Sequence, residues 1–251
     1  MSARWRARLL LVAALLGMAL TARLGWWQLD RAAQKVELRD ATQARAQLPP
    51  LQPADLTTDE APPAAIDAQL ERRVELRGRW LSERTVFLDN RPMQGRFGFI
   101  VVTPLLLEGR DAAVLVQRGW APRDMVERTR LPELKDPAAI VRVRGRLIAT
   151  ASRVYELGDA GSGAIRQNLD RAAYARETGL KLLAPTVLQL LPAELDGRPL
   201  DDGLSRDWPA PDLGLQKHYG YAFQWFALCA LILCLYVWFQ IVRPRLRSAR
   251  A

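Results

Sequence analysis

Two charge-free apolar stretches, one near each end of the chain, constrain the fold more than any other feature. From Tyr219 through Val242, 24 residues, there is no Asp, Glu, Lys or Arg. As helix that length rises about 36 Å, enough to cross the hydrocarbon core of a bilayer with some tilt. Leu9 through Ala22 is likewise uncharged, and Leu24, Trp26, Trp27 and Leu29 carry the apolar character past Arg23. A cleaved signal peptide shares the basic start and short apolar core, with Gly17-Met18-Ala19 as its cleavage region. Continuation to Leu29 favours an uncut anchor, with Trp26 and Trp27 in the aromatic belt and Arg23 reaching for the headgroups. The expected spans are residues 9–29 and 218–242, between tails 1–8 and 243–251.

Charge supports this arrangement and argues against a nucleic-acid partner. The formal charge is +9, yet eight of the 36 Lys and Arg residues lie in residues 1–29 and 218–251, which contain no acid. The middle therefore holds 28 basic against 27 acidic residues. Basic residues flanking apolar helices set topology. Both termini are expected in the cytoplasm, with residues 30–217 in the periplasm or an equivalent compartment. Those 188 residues suffice for one domain with its own core. They contain no cysteine; Cys229 and Cys234 both lie in the second apolar stretch. Five helical positions separate those two by about 140° in azimuth, which reads as two small apolar residues rather than a shared ligand site.

Within the central part, Asp30 to Gln47 reads as a polar continuation of the first helix. Residues 48–66 carry Pro49, Pro50, Pro53, Pro62 and Pro63 and read as a linker or irregular loop. The period then becomes two. Val74, Leu76, Gly78 and Trp80 alternate with Glu75, Arg77 and Arg79, a half-buried strand with Trp80 inward. Further strands are expected at Thr85–Leu88, ended by Asp89-Asn90-Arg91-Pro92; at Phe97–Thr103, ended by Pro104; and at Ala113–Gln117, Ile140–Ile148 and Val187–Leu191. Val74 to Trp80 echoes Val141 to Leu147, as two equivalent strands of a closed sheet would. Asp170 to Thr178 reads as a short helix with Asp170 as N-cap and Gly179 past its end. The fold class expected is two transmembrane helices flanking a β-rich (α+β) extracytoplasmic domain, mainly an antiparallel sandwich or barrel.

Catalytic signatures are scarce. One histidine excludes a His-rich metal cluster, and there is no paired-cysteine zinc motif, Gly-x-Ser-x-Gly elbow or phosphate-cradling loop. Gly158 to Gly163 reads as a flexible loop. Asp89-Asn90-Arg91 and Arg118-Gly119-Trp120 read either as polar turns or as the rim of a binding edge. The residues point to a membrane-tethered β-domain that is not an enzyme. His218 stands at the mouth of the second helix, where an imidazole is either an interfacial cap or a ligand. Tyr221, at i+3, and Trp225, four residues further, share roughly its helix face.

Five segments, in order, resemble the surfeit locus protein 1 family of cytochrome c oxidase assembly factors. Leu24-Gly25-Trp26-Trp27-Gln28-Leu29-Asp30-Arg31, with Lys35 following, is similar to the family's Leu-Gly-x-Trp-Gln-x-x-Arg element. Asp89-Asn90-Arg91, Gly98 to Leu105 and Val114 to Pro122 resemble its central block, with Gln117 where asparagine is common. His218-Tyr219-Gly220-Tyr221-Ala222-Phe223-Gln224-Trp225-Phe226 resembles the opening of its second helix. The resemblance spans residues 24–242 and is weaker at 40–70 and 150–210.

The resemblance implies an assembly factor for haem-copper oxidases in a bacterial inner membrane. Its partners would be the oxidase catalytic subunit and other assembly or haem a synthesis factors, within the lipid bilayer. It also implies transient haem a binding, with His218 as the candidate iron ligand. Tyr221, Trp225, Trp26 and Trp27 would then be haem-binding aromatics. The alternative is a scaffold that stabilises a nascent oxidase subunit without touching haem. For the topology, a reporter active only in the periplasm should give signal when fused after about residue 130 and none after Ala251. The reverse pattern would reject it.

Overall fold

The computed structural model describes residues 3–58, 60–127, 129–153, 163–209 and 214–248. Most of the expected glycine-rich loop at 158–163 lies outside them. The chain divides into two compact units, one of Met1–Ala41 with Ala210–Ala251 and one of Thr42–Pro209. Among the described residues the α-helices are α1 (Ala3–Gln47), α2 (Pro63–Gln69), α3 (Arg171–Thr178), α4 (Leu215–Val237) and α5 (Arg243–Ser248). The strands are β1 (Arg73–Trp80), β2 (Val86–Met93), β3 (Arg96–Leu107), β4 (Ala113–Pro122), β5 (Val141–Ile148), β6 (Ile165–Arg166), β7 (Thr186–Gln189), β8 (Glu194–Leu195) and β9 (Arg198–Pro199).

Both long helices meet the length and hydropathy of a membrane span, and their apolar windows are almost wholly unburied by protein. Exposed leucines and aromatics along such lengths require lipid around them, so the protein is membrane-associated. The first helix carries no proline through its 45 residues and stops just before Pro49-Pro50, where the residue preceding a proline is driven out of the α region. Between α4 and α5 the backbone makes a π turn over Trp238–Val242. Its cause is Pro244, which has no N–H and whose ring would meet the carbonyl four residues back.

The β unit is a closed barrel. Its first strand pairs with β3 at Gly78–Trp80 and with β5 at Arg73–Gly78, both antiparallel. The third strand continues to β4, that strand runs parallel to β7, and β7 returns antiparallel to β5. Five strands thus close a ring with no free edge. Outside the ring β2 pairs with β3, β6 lies parallel on β2, and the β8–β9 hairpin hangs on β5. The echo between Val74–Trp80 and Val141–Leu147 has a geometric meaning. These are β1 and β5, paired so that Val74 faces Gly145 and Gly78 faces Val141. A side chain on Gly78 would run into the Leu106 carbonyl, and one on Gly145 into the Leu188 carbonyl. Both glycines therefore stand where a third strand crosses too closely for a Cβ.

Three expected strand ends prove to be interior points. The second strand runs on to Met93 through a bulge between Leu88 and Arg91, with Asn90 at φ 58°. Asparagine tolerates that left-handed conformation better than most residues, so the polar cluster bends the strand instead of ending it. Pro104 lies inside β3. Its carbonyl accepts from Leu81 N–H at 3.0 Å, so its nitrogen faces the end of β1, where no ladder partner waits for a donor. The fourth strand extends to Pro122 because Arg118-Gly119-Trp120 is a bulge, with Val102 opposite Gln117 and Val101 opposite Gly119. The extra residue shifts the alternation by one. Arg118 stays near the interior side with Val114 and Val116, while Trp120 joins the outer cluster with Ala113 and Leu115.

The barrel interior is filled by Val74, Leu76, Trp80, Leu105, Val143 and their neighbours, so Trp80 packs inward as the alternation requires. A second apolar layer, around Leu88, Ile100, Leu115 and Tyr174, lies between β2–β4 and α3. That helix is capped by Asp170, whose carboxylate accepts from Ala173 N–H at 2.7 Å, and ends at Gly179 in the left-handed conformation. Burial pushes the Tyr174 hydroxyl up to about 12. The proline-rich stretch is irregular up to Pro62, as a loop would be, but α2 begins at Pro63 and the stretch is tied to the core. Leu51 and Leu56 enter the core, Arg72 donates to the Pro49 carbonyl at 2.8 Å, and Arg110 donates to Pro53 at 2.7 Å. Proline gives up a donor but keeps its acceptor, and two arginines use it.

One charged cluster lies inside the protein. The Arg118 guanidinium stacks over Trp80 at 4.3 Å and reaches Asp136 at 2.6 and 2.9 Å and Asp202 at 3.4 Å. Asp202 also pairs with Arg206, and Ser82 donates to Asp136 at 2.6 Å. The four side chains are 1, 7, 3 and 8 % exposed for Arg118, Asp136, Asp202 and Arg206. Two cations and two anions balance, which is the condition for burying them. Arg118→Met keeps the volume, takes from Asp136 its buried cation and leaves Asp202 with Arg206 alone. Unfolding by denaturant, followed by tryptophan fluorescence, should show a loss of about 3–5 kcal/mol; an unchanged midpoint would mean the cluster is not structural.

Candidate functional site

Concavities on the β unit are poor candidates. One of about 220 Å³ is lined by Arg84, Arg166, Tyr174 and Glu177. Those groups already satisfy each other, since Arg166 pairs with Glu177 at 2.6 Å and Tyr174 donates to the Arg84 carbonyl. The hydrogen bond from Arg166 holds the Glu177 carboxyl below its ordinary range. A larger one of about 450 Å³ lies among Arg96, Arg123, Asp124 and Arg130, with Arg123 on Asp89 at 3.3 Å. Among the described residues no three His, Cys, Asp or Glu side chains gather as metal ligands. The two arginines expected at turns are buried in the bulges. Arg91 donates to the carbonyls of Asp89, Ser152 and Gln167 at 2.6–2.8 Å, and Trp120 Nε1 donates to the Arg91 carbonyl at 2.8 Å. They hold structure and offer no binding edge.

The helical unit is different. A narrow seam on α1 runs through Gly17, Thr21, Gly25, Gln28 and Ala32, three or four residues apart and so on one face. A methyl on Gly17 would come 3.3 Å from Ile232 Cδ1, and one on Gly25 2.9 Å from Phe226 Cζ. Cys229 Sγ lies 3.5 Å from the Met18 carbonyl, and His218 Nδ1 lies 2.8 Å from Gln28 Oε1. The partners run backward along α4, so the helices are antiparallel. Thr21 donates to the Gly17 carbonyl at 2.8 Å within its own helix, and Ala32 and Ala222 are buried. Small residues allow this approach, and packing replaces the hydrophobic drive that lipid removes. The two cysteines are free; Cys229 meets the seam while the more exposed Cys234 faces away, as their azimuths require.

At one end of the seam the helices part into a cleft of about 360 Å³, lined by Trp27, Gln28, Lys35, Gly214, Lys217, His218 and Tyr221. Of the five expected site residues, three meet there: His218, Tyr221 and Trp27. Trp26 does not, because adjacent helical residues point about 100° apart. It is 67 % exposed, against 43 % for Trp27. Trp225 also lies outside the cleft. It shares the azimuth of His218 but sits about 10 Å further along the helix axis. Sequence reasoning missed Gln28, Lys35 and Lys217. Gln28 was visible within the Trp-Gln motif, but its partner is 190 positions away. An imidazole that donates Nδ1–H to Gln28 Oε1 would keep a lone pair on Nε2 when neutral.

Barrel, seam and cleft define a membrane-associated β-barrel protein with a cleft between its two long helices. The seam joins the first and last of the five motif segments. The model of the SURF1 family matches residues 15–230, and the chain belongs to this family. Over 120 residues it is 31 % identical to the Surfeit locus protein 1 of Arabidopsis thaliana, covering 44 % of this chain and 33 % of that protein. Over 127 residues it is 35 % identical to a SURF1-like protein of Drosophila melanogaster, covering 43 % of this chain and 40 % of that protein. The matched stretch thus spans well under half of each relative's length.

The Gly25–Phe226 contact yields a test. Gly25→Leu should force the helices apart at the cleft, since Phe226 already lies where its Cβ would be. Cross-linking between cysteines placed at Gln28 and His218 should form readily in the parent chain and fall sharply with Leu at position 25. Unchanged cross-linking would reject the seam.

Proposed function

We propose that this chain is a membrane-anchored assembly factor for haem-copper cytochrome c oxidase, and that the cleft holds haem a for delivery to the catalytic subunit. The observation that carries the proposal is the meeting of two motif segments from opposite ends of the chain. Gly25 admits Phe226, Gln28 receives His218, and the result is a cleft. The family relation supports the oxidase as the destination. Two apolar helices with arginine outside each support a membrane placement with both termini on the cytoplasmic side; we take that membrane to be a bacterial inner membrane, with residues 30–217 periplasmic.

The donor set suits haem as cargo. Nε2 of His218 is a neutral nitrogen donor, Trp27 and Tyr221 supply aromatic surface, and Lys35 and Lys217 put cations beside a group that carries carboxylates. A cleft of about 360 Å³ is at the small end for ligand sites, so it suits a cargo gripped on one face and handed on. Haem, if bound, would supply an iron able to take a nitrogen donor, and His218 would hold it. This chain's residues would bind and orient it.

The test is the haem content of wild type and His218→Ala, purified at matched expression from cells that make haem a. The variant should lose most of the bound-haem absorption, while Tyr221→Phe and Trp27→Leu should lose less. Equal occupancy would leave His218 as an interfacial cap. It would favour the second reading, a scaffold for a nascent oxidase subunit that uses the unburied helix faces.

A further inference from the structure

We infer that Gln28 is the positioning residue for His218: its side-chain oxygen holds the imidazole by Nδ1 and thereby reserves Nε2 for the ligand. This rests on the reading of His218 as a binding residue.

The geometry comes first. Gln28 Oε1 and His218 Nδ1 are 2.8 Å apart, a full-strength hydrogen bond, and each comes from a different helix. One turn away on α1, the ring of Phe226 rests on Gly25, which sets the spacing and rotation of the two helices. The amide therefore meets the imidazole by construction of the seam and not by chance contact of two mobile side chains.

The inventory of donors and acceptors comes second. Of the side chains lining the cleft, the two lysines and Trp27 can only donate. Only the Tyr221 hydroxyl and Gln28 Oε1 can accept an imidazole N–H there, and Gln28 is the one bonded to the ring. The Gly214 carbonyl is engaged by the backbone N–H groups of Lys217 and His218. A proton on Nδ1 is thus held by Gln28, which leaves the lone pair on Nε2. The opposite tautomer would turn an N–H toward the ligand and would have to reverse the amide.

The residue type also fits the place. Partners of ligating histidines are commonly carboxylates or carbonyls, and they orient the ring and raise its basicity. A carboxylate beside a membrane helix would add a costly charge. An amide oxygen does the same orienting work while neutral.

The test exploits the single histidine of the 251-residue chain. With 15N-histidine labelling, the full-length protein in lipid nanodiscs gives signals from one imidazole only. At a pH where the ring is neutral, wild type should show protonated Nδ1 and unprotonated Nε2 before any haem is added. Gln28→Leu should mix the tautomers and weaken binding of added hemin about 10–100-fold. Gln28→Asn, one methylene short, should do likewise with less risk to folding. Gln28→Glu, which keeps the acceptor, should restore both. Protonated Nε2 in wild type, or a tautomer and hemin affinity unmoved in Gln28→Leu and Gln28→Asn, would overturn the inference. Wild type that shows the expected tautomer, with its loss in the variants, but takes up no hemin would sink the haem reading and leave the positioning role standing.

Discussion

The β unit depends on one buried guanidinium. Arg118 occupies the extra position of a strand bulge, and the bulge is what lets a charged residue follow Val114 and Val116 toward the barrel interior while Trp120 still reaches the outer core. From there it gathers groups that are distant in sequence: Trp80 at the end of β1, Asp136 in the segment between β4 and β5, and Asp202 near the end of the unit. Each alone would be a charge or a large ring in the wrong solvent. Together they neutralise one another, and the bidentate contact to Asp136 fixes direction as well as distance. Irregular segments that no ladder orders are held in place this way. The cost falls on any change that removes one partner, because the rest cannot return to water.

In the helical unit the controlling quantity is distance. Lipid offers no hydrophobic reason for two apolar helices to associate, so contact must come from close packing and a few polar bonds. Glycine at positions 17 and 25 gives the required closeness, and Phe226 uses it. The polar bond follows from that closeness. Gln28 reaches His218 only because the backbones meet one turn away. The cleft lies at this bond, where the longer side chains of Trp27, Lys35, Lys217 and Tyr221 take the place of the small residues of the seam. Packing in the seam and chemistry in the cleft are therefore two consequences of one spacing pattern.

Much of the fold was legible because its causes are local. Period-two alternation located Val74 to Trp80 with the right face inward, and Asp170 and Gly179 bracketed a helix through capping and left-handed geometry. Three strand ends were misread for a shared reason. Asp89-Asn90-Arg91, Pro104 and Arg118-Gly119-Trp120 look like punctuation in one dimension. Whether such residues stop a strand or bend it depends on what lies alongside. For Pro104 it was the end of β1, and for the two arginines it was a set of buried acceptors. The proline-rich stretch is the irregular loop its composition suggests, but its anchoring is not legible there, since its carbonyls find arginines that the sequence places elsewhere.

The sequence by itself determined the two apolar helices, the β character of the part between them and the residue types of the site. Hydropathy, periodicity and capping act over a few neighbouring residues and can be read in order. Tertiary structure decided which of those residues act together. Trp26 and Trp27 are neighbours in the chain, yet only Trp27 lines the cleft, because a helix turns them about 100° apart. Gln28 and His218 are 190 residues apart and share a hydrogen bond. The closing of five strands into a ring and the shift of alternation at Arg118 have the same origin. Each depends on pairing between distant segments, whose free energy comes from contacts that no single segment contains.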